Sequence, residues 1–232
     1  MDLGAVAHLS TLKSSVPFLH FFDGFRTSHE IQKIEVWDYK DLKDMVDMDD
    51  VKRFRERALN PEHPTLRGSA ENSDIFFQHR EACNKYYNDA VETTVMYMNK
   101  VNEKIGTDYK PFNYYGAPDA EHIIIAMGSV CDTIAETVDY LNAKGEKVGL
   151  VKVHLYRPFS PKYLIDVIPA TVKKISVIDR TKEPGSIGEP LYLDVVAAFK
   201  GSQFETTPIY NGRYGLGSKD TVPAHIISIY DN

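Results

Sequence analysis

From residue 122 onward, short apolar runs alternate with helical periodicity. His122-Ile123-Ile124-Ile125-Ala126-Met127 is the continuous apolar run expected of a strand covered on both faces. Gly128-Ser129 turns into a helix over Val130 to Lys144, and Gly145 ends it. Val148 to Val153 is the next strand, and Pro161, tolerated in a first helical turn, starts a short helix to about Val167. Lys174 to Asp179 is a third strand, a glycine-containing turn leads to a helix over Glu189 to Phe199, and Thr207 to Tyr210 is a short fourth strand. The tail from Thr221 adds a final helical turn or strand. This alternation predicts an α/β fold: a mostly parallel sheet with helices on both faces, over residues 119–232.

The preceding stretch is patterned differently. Residues 41–118 read as a helical connector. Asp47 or Asp49 caps a helix through Val51 to Leu59, which Asn60-Pro61 ends, and Pro61 to Asn72, with Gly68, is a loop. A long helix is expected from near Asp74 to Ile105, stopped by Gly106. Cys83, Tyr87, Ala90, Thr94, Tyr97, Val101 and Ile105 recur along it at steps of three or four, which places Cys83 on a buried face as a packed thiol. Tyr109 to Pro118 reads as an aromatic linker lying on a surface. Residues 1–40 begin with a small-residue helical stretch broken at Ser14-Ser15. The apolar run Val16 to Phe22 then resembles a buried strand that ends at the turn Asp23-Gly24. That strand has no sequence neighbour to pair with, so the chain reads as beginning partway through a domain. Val16 to Phe22 is expected to pack against the central helices or to pair between molecules.

Composition narrows the function classes. The 232 residues carry a formal charge of −6, with 43% hydrophobic and 26% charged positions, which suits a globular chain with a sizeable core. A mildly acidic, evenly spread charge does not suit coating nucleic acid or an anionic membrane surface. No apolar run approaches the roughly 20 residues that span a bilayer. Asp2 stands where a signal peptide carries a basic residue, so a cytoplasmic location is expected. The two cysteines, Cys83 and Cys131, can neither build a disulfide framework nor ligate an iron–sulfur cluster by four thiolates. Metal-binding spacings such as HExxH are missing, as are GxSxG and GxxxxGK[ST].

Candidate chemistry gathers at predicted strand ends. Asp23-Gly24-Phe25-Arg26-Thr27-Ser28-His29-Glu30 follows one, where open α/β sheets place their sites. Arg26 can fix a carboxylate bidentately, and His29 beside Glu30 can relay a proton. Against this, Ser28 can cap the next helix and Arg26 can close an internal ion pair. Gly128-Ser129 opens a helix whose free N–H groups suit an anion, although the GxGxxG fingerprint is missing. Thr181 to Glu189 holds Lys182, Glu183, Gly185 and Gly188, suited either to a polar ligand or neighbouring domain or to a plain turn before a helix. Arg213 and Lys219 lie in the glycine-rich Asn211 to Asp220, which reads as an irregular interdomain surface. Arg157, at a strand end, can bridge to another domain.

Three of these stretches carry a resemblance. Pro17 to Glu30 (PFLHFFDGFRTSHE), Asp179 to Gly185 (DRTKEPG) and Gly212 to Asp220 (GRYGLGSKD) are similar to signature segments of pyruvate:ferredoxin (flavodoxin) oxidoreductase. The similarity covers essentially the whole chain in the family's order. It implies a fragment of a longer enzyme that decarboxylates pyruvate on thiamine diphosphate and magnesium. Electrons would pass through iron–sulfur clusters to ferredoxin or flavodoxin, with coenzyme A as co-substrate taking the acetyl group. Residues 1–40 would be the end of a thiamine-enzyme-like domain, residues 41–118 the connector, and residues 119–232 a domain resembling the C-terminal domain of transketolase.

The diphosphate–magnesium motif and the cluster cysteines have no match, so no catalytic residue carries over and no cofactor is expected in this fragment. Asp23, Arg26, Thr27 and Glu30 are expected to support the site from behind it. Lys182, Glu183, Gly185, Gly188, Arg213 and Lys219 are expected to face other domains of the parent chain or a second subunit. Two other readings compete: a stand-alone α/β ligand-binding module, motivated by the glycine turns, and the C-terminal part of another thiamine enzyme such as a 2-oxoacid dehydrogenase β-subunit.

Overall fold

The computed structural model describes residues 1–66 and 70–232, so Gly68 of the expected loop lies outside the described residues. The chain divides into two compact units, Met1–His20 with Lys33–Tyr109, and Phe21–Gln32 with Lys110–Asn232.

The helical unit contains α1 (Asp2–Ser14), α3 (Tyr39–Met45), α4 (Met48–Glu56), α5 (Phe76–Ala82) and α6 (Asn84–Ile105); α2 (Arg26–His29) falls in the other unit. Of the two candidates Asp47 caps α4, by accepting from the Asp49 amide, and α4 ends at Glu56 and not at Leu59. Gly106 ends α6 in the left-handed conformation at φ 71°. Val6 and Leu9 of α1 pack on Tyr97, Met98 and Val101 of α6 with Met45. Asp2 ties this unit together by accepting from Trp37 Nε1 at 2.8 Å and from the Tyr109 hydroxyl at 3.0 Å.

Three expectations for this half require correction. The long helix is two, because around Cys83 the backbone bonds shorten to three-residue steps (Cys83 N to Arg80 O, Tyr86 N to Cys83 O). The apolar face is buried from Ala90 to Val101, but Tyr87 is 49% exposed and Cys83 only partly covered, so Cys83 is no core thiol. Val16 to Phe22 is irregular rather than a strand. Pro17 withholds a donor there, and among the described residues of the helical unit there is no strand to complete a ladder. Val16 is buried, whereas Leu19, Phe21 and Phe22 are exposed.

The α/β unit holds a five-stranded sheet in the order β1-β3-β2-β4-β5, from β1 (Phe112–Gly116), β2 (His122–Ala126), β3 (Val148–Val153), β4 (Lys174–Asp179) and β5 (Ile209–Arg213). β2 to β5 run parallel and β1 lies antiparallel along β3. Tyr109 to Pro118 is therefore no surface linker. Phe112 is fully buried against the sheet, and the aromatic run supplies an edge strand. On one face α7 (Val130–Asn142) and α10 (Pro223–Asp231) cover Ile124, Leu150 and Ile178; on the other α8 (Pro161–Val167) and α9 (Pro190–Phe199) cover Ile123, Ile125 and Val177. Every residue of β2 is buried, which explains its unbroken apolar run. His122, at its start, shares a hydrogen bond of 2.9 Å with Ser176 of β4 and lies edge-on to Tyr230 of α10.

The topology fixes where a site belongs. From β2 the chain passes through α7 to β3 on one side, and from β4 through α9 to β5 on the other. The winding reverses between β2 and β4, and in open α/β sheets the crevice at the carboxyl ends of such a strand pair receives ligands.

Candidate functional site

That crevice is filled by the chain's own Asp23. Its carboxylate accepts from the Ser129 backbone amide at 2.9 Å, from the Ser129 hydroxyl, from Thr27 Oγ1 at 2.8 Å and from Arg180 Nη1 at 2.6 Å. Ser129 follows β2 at the N-terminus of α7, and Arg180 follows β4. A helix N-terminus with a neighbouring guanidinium suits an anion, and here the anion is a side chain. Burial pushes the Asp23 carboxyl up, but the Ser129 and Thr27 donors outweigh it and hold the carboxyl below its ordinary value. Gly128, at φ 83°, admits the carboxylate: a Cβ there would stand 2.9 Å from Asp23 Oδ1.

The other predicted residues separate. Arg26 pairs with Asp220, so the internal ion pair is its observed role. Ser28 lies inside α2 and its hydroxyl donates to the Phe25 carbonyl, so it caps no following helix. His29 Nδ1 donates to the same carbonyl at 2.5 Å, which occupies the nitrogen nearest the backbone. Glu30 is exposed and takes no part in the Asp23 cluster.

A second cluster forms at the N-terminus of α9. The buried Asp179 carboxylate accepts from the Leu191 amide at 3.0 Å and the Tyr192 amide at 3.2 Å. Burial raises its pKa, and the nearby Glu189 and Asp194 carboxylates add to the shift against those two amides. Glu189, also buried, accepts from the Glu183 amide at 2.9 Å and from Arg213. Burial pushes Glu189 up, yet Arg213 and the Glu183 amide bring it below the ordinary carboxylate value. Glu189 thus closes the 183–189 turn from inside. Gly188 is buried with Tyr192 over it, whereas Lys182, Glu183, Gly185 and Lys219 are exposed. Arg157 pairs with Asp194 of α9 at 2.7 Å and lies over the Tyr156 ring.

Arg180, Asp220 and Glu189 complete these clusters and were not singled out from the sequence. Each sits at or just beyond a strand end or helix start, and only the fold shows which of the many such residues meet. Among the described residues no group of three or more His, Cys, Asp or Glu side chains is arranged to hold a metal ion, and no helix is long and apolar enough to cross a membrane.

Comparison with known proteins supplies relatives over the whole chain. The family model "Pyruvate flavodoxin/ferredoxin oxidoreductase, thiamine diP-bdg" matches residues 1–99, and "Pyruvate:ferredoxin oxidoreductase core domain II" matches residues 120–226. Over 232 residues the chain is 61% identical to a pyruvate-flavodoxin oxidoreductase of Enterobacter agglomerans and 55% identical to a pyruvate:ferredoxin oxidoreductase of Moorella thermoacetica. It is 49% identical to a mitochondrial pyruvate dehydrogenase [NADP(+)] of Euglena gracilis. All of this chain is covered in each case, but only 20%, 20% and 13% of those relatives. The chain belongs to the pyruvate flavodoxin/ferredoxin oxidoreductase family and spans about one fifth of the length of the bacterial relatives it matches.

Proposed function

We propose that this chain is a scaffold segment of a pyruvate:ferredoxin/flavodoxin oxidoreductase. The whole enzyme carries out thiamine diphosphate-dependent oxidative decarboxylation of pyruvate to acetyl-CoA. It passes electrons through iron–sulfur clusters to ferredoxin or flavodoxin, in the cytoplasm. The observation that carries this reading is the Asp23 carboxylate in the switch-point crevice. A sheet whose ligand position is filled from within is built to hold its surroundings, not to turn over a substrate.

The residues present do not fit the cofactor's diphosphate. The anion cradle at Ser129 and Arg180 is already satisfied, and the described side chains offer no metal-ligand set. We assign thiamine, cluster and magnesium chemistry to the whole enzyme, in which residues 1–99 match a thiamine diphosphate-binding family model. Asp23 and Thr27 act by holding the Phe21–Gln32 loop in place, Arg26 by pairing with Asp220, and Glu30 by its exposed position beside them. Lys182, Glu183, Gly185 and Lys219, exposed on loops that follow β4 and β5 with Ile187 94% exposed among them, supply a surface for the remaining domains or a second subunit. Arg213, also exposed, pairs with the buried Glu189, and Gly188 lies buried beneath the turn.

A chimaera tests the reading. The matching segment of the Enterobacter agglomerans enzyme, replaced by this chain, is expected to retain pyruvate-dependent flavodoxin reduction. The chain alone is expected to show neither that activity nor calorimetric binding of thiamine diphosphate with magnesium. Pyruvate decarboxylation by the chain alone, or a folded chimaera without activity, would overturn it.

A further inference from the structure

The loop Phe21–Gln32 is held at two points and bent between them. Asp23 fills the crevice, and three residues later Arg26 pairs with Asp220 in the segment after β5. Between the anchors Phe25 adopts φ 57° and ψ −91°. That lies near the γ-turn of positive φ, a rare and strained conformation for a residue with a Cβ. The Phe25 ring is 71% exposed, so burial of the ring does not offset the strain. Its carbonyl is instead gripped from the far side by Ser28 Oγ at 2.8 Å and His29 Nδ1 at 2.5 Å.

The sheet side makes room for the first anchor. Besides Gly128 under the carboxylate, Gly215 (φ 62°) lies under the Arg180 side chain, where a Cβ would stand 3.0 Å from Nε. Arg180 Nε also donates to the Gly215 carbonyl at 3.3 Å, which aims the guanidinium at Asp23. Two glycines, from the loops after β2 and β5, thus shape the space in which Asp23 and Arg180 meet.

We infer that Phe21–Gln32 is a strap kept under backbone strain by one dominant latch, Asp23 on Ser129 and Arg180, and that it lifts from the carboxyl ends of the strands as a unit when that latch is broken. The anchors are unequal. The Asp23 side chain is 14% exposed and its donors converge from three directions, whereas Arg26 and Asp220 are 56% and 62% exposed and largely screened by water. With the latch gone, Phe25 relaxes to negative φ and carries Arg26–His29 away. The Ser129 amide and the Arg180 guanidinium are then uncovered at the switch point. This holds for the chain whatever the longer enzyme does.

Amide hydrogen exchange on the 232-residue chain tests the inference. Asp23→Ala is expected to speed exchange at the Glu30 amide, which donates to the Thr27 carbonyl, and at Ser129 by about tenfold or more, with β2 and β3 amides unchanged. Arg26→Ala is expected to change the same amides by less than about threefold. Strap and Ser129 amides that stay at the original rates in Asp23→Ala would overturn the inference. So would Arg26→Ala opening the strap as far as Asp23→Ala does. Should Asp23→Ala also unfold the sheet, Thr27→Val and Ser129→Ala, each removing one donor, carry the test: partial acceleration supports the latch and unchanged rates overturn it.

Discussion

Arg180 donates to Asp23 at 2.6 Å across 157 residues of sequence, and this pair stands where the sheet reverses its winding. A position at which related architectures receive an anionic ligand is used here to dock the chain's own loop. The Asp23 carboxylate thereby satisfies the Ser129 and Arg180 donors from within the chain and leaves the loops around it exposed.

The edge strand is a load on the core that a linker would not be. Phe112→Ala empties a fully buried ring position and is expected to cost about 3–5 kcal/mol, measured by urea unfolding of the α/β unit. A loss below about 1 kcal/mol, as for a solvent-facing linker aromatic, would contradict the antiparallel pairing of β1 with β3.

His122 gives the α/β unit a pH dependence. Burial pushes its pKa from 6.5 down to about 4, and the nearby Lys174 adds to the shift. Above pH 6.5 the imidazole is neutral in both states and costs nothing. As pH falls from 6.5 towards 4 the unfolded chain gains a proton that the folded one refuses, so stability is lost over that window, by as much as about 3 kcal/mol. His122→Asn is expected to flatten the slope of unfolding free energy between these values, and an unchanged slope would assign the pH dependence elsewhere.

The two thiols should differ sharply. Cys131 is buried with its thiol directed to the Ala126 carbonyl, and burial pushes it up to about 12, whereas Cys83 is partly exposed. A disulfide reagent is expected to titrate one thiol per native chain, with Cys131 slower by on the order of a thousandfold. Cys83→Ser should remove the fast phase. Equal rates would mean that α7 does not stay packed on the sheet.

Asp179 holds the start of α9. Asp179→Ala leaves the Leu191 and Tyr192 amides without their acceptor and is expected to cost about 1–2 kcal/mol in urea unfolding. Asp179→Asn, which keeps one acceptor oxygen, should recover part of it. A wild-type midpoint for the alanine variant would remove this cap from the account.

Much of the α/β half was legible in the order of its residues. β2 is buried on both faces and so is written as an uninterrupted apolar run, and α7 spaces Val130, Ile134, Val138 and Leu141 at helical intervals. Gly106, Pro161 and Asp47 mark helix ends through their own backbone or side-chain chemistry, which needs no distant partner. The failures share an opposite cause. Val16 to Phe22 has strand-like composition, but a strand exists only through a neighbour's hydrogen bonds, and among the described residues no strand pairs with it. Phe112 to Gly116 reads as a linker for the converse reason: its pairing partner, β3, lies some thirty-five residues later. Local sequence therefore determined several helix ends, such as those at Asp47, Gly106 and Pro161, which strands are central, and, through the signature stretches, the family. Tertiary structure alone decided that Asp23 meets Ser129 and Arg180, because ion pairs and sheet ladders depend on which distant residues the topology brings within about 3 Å.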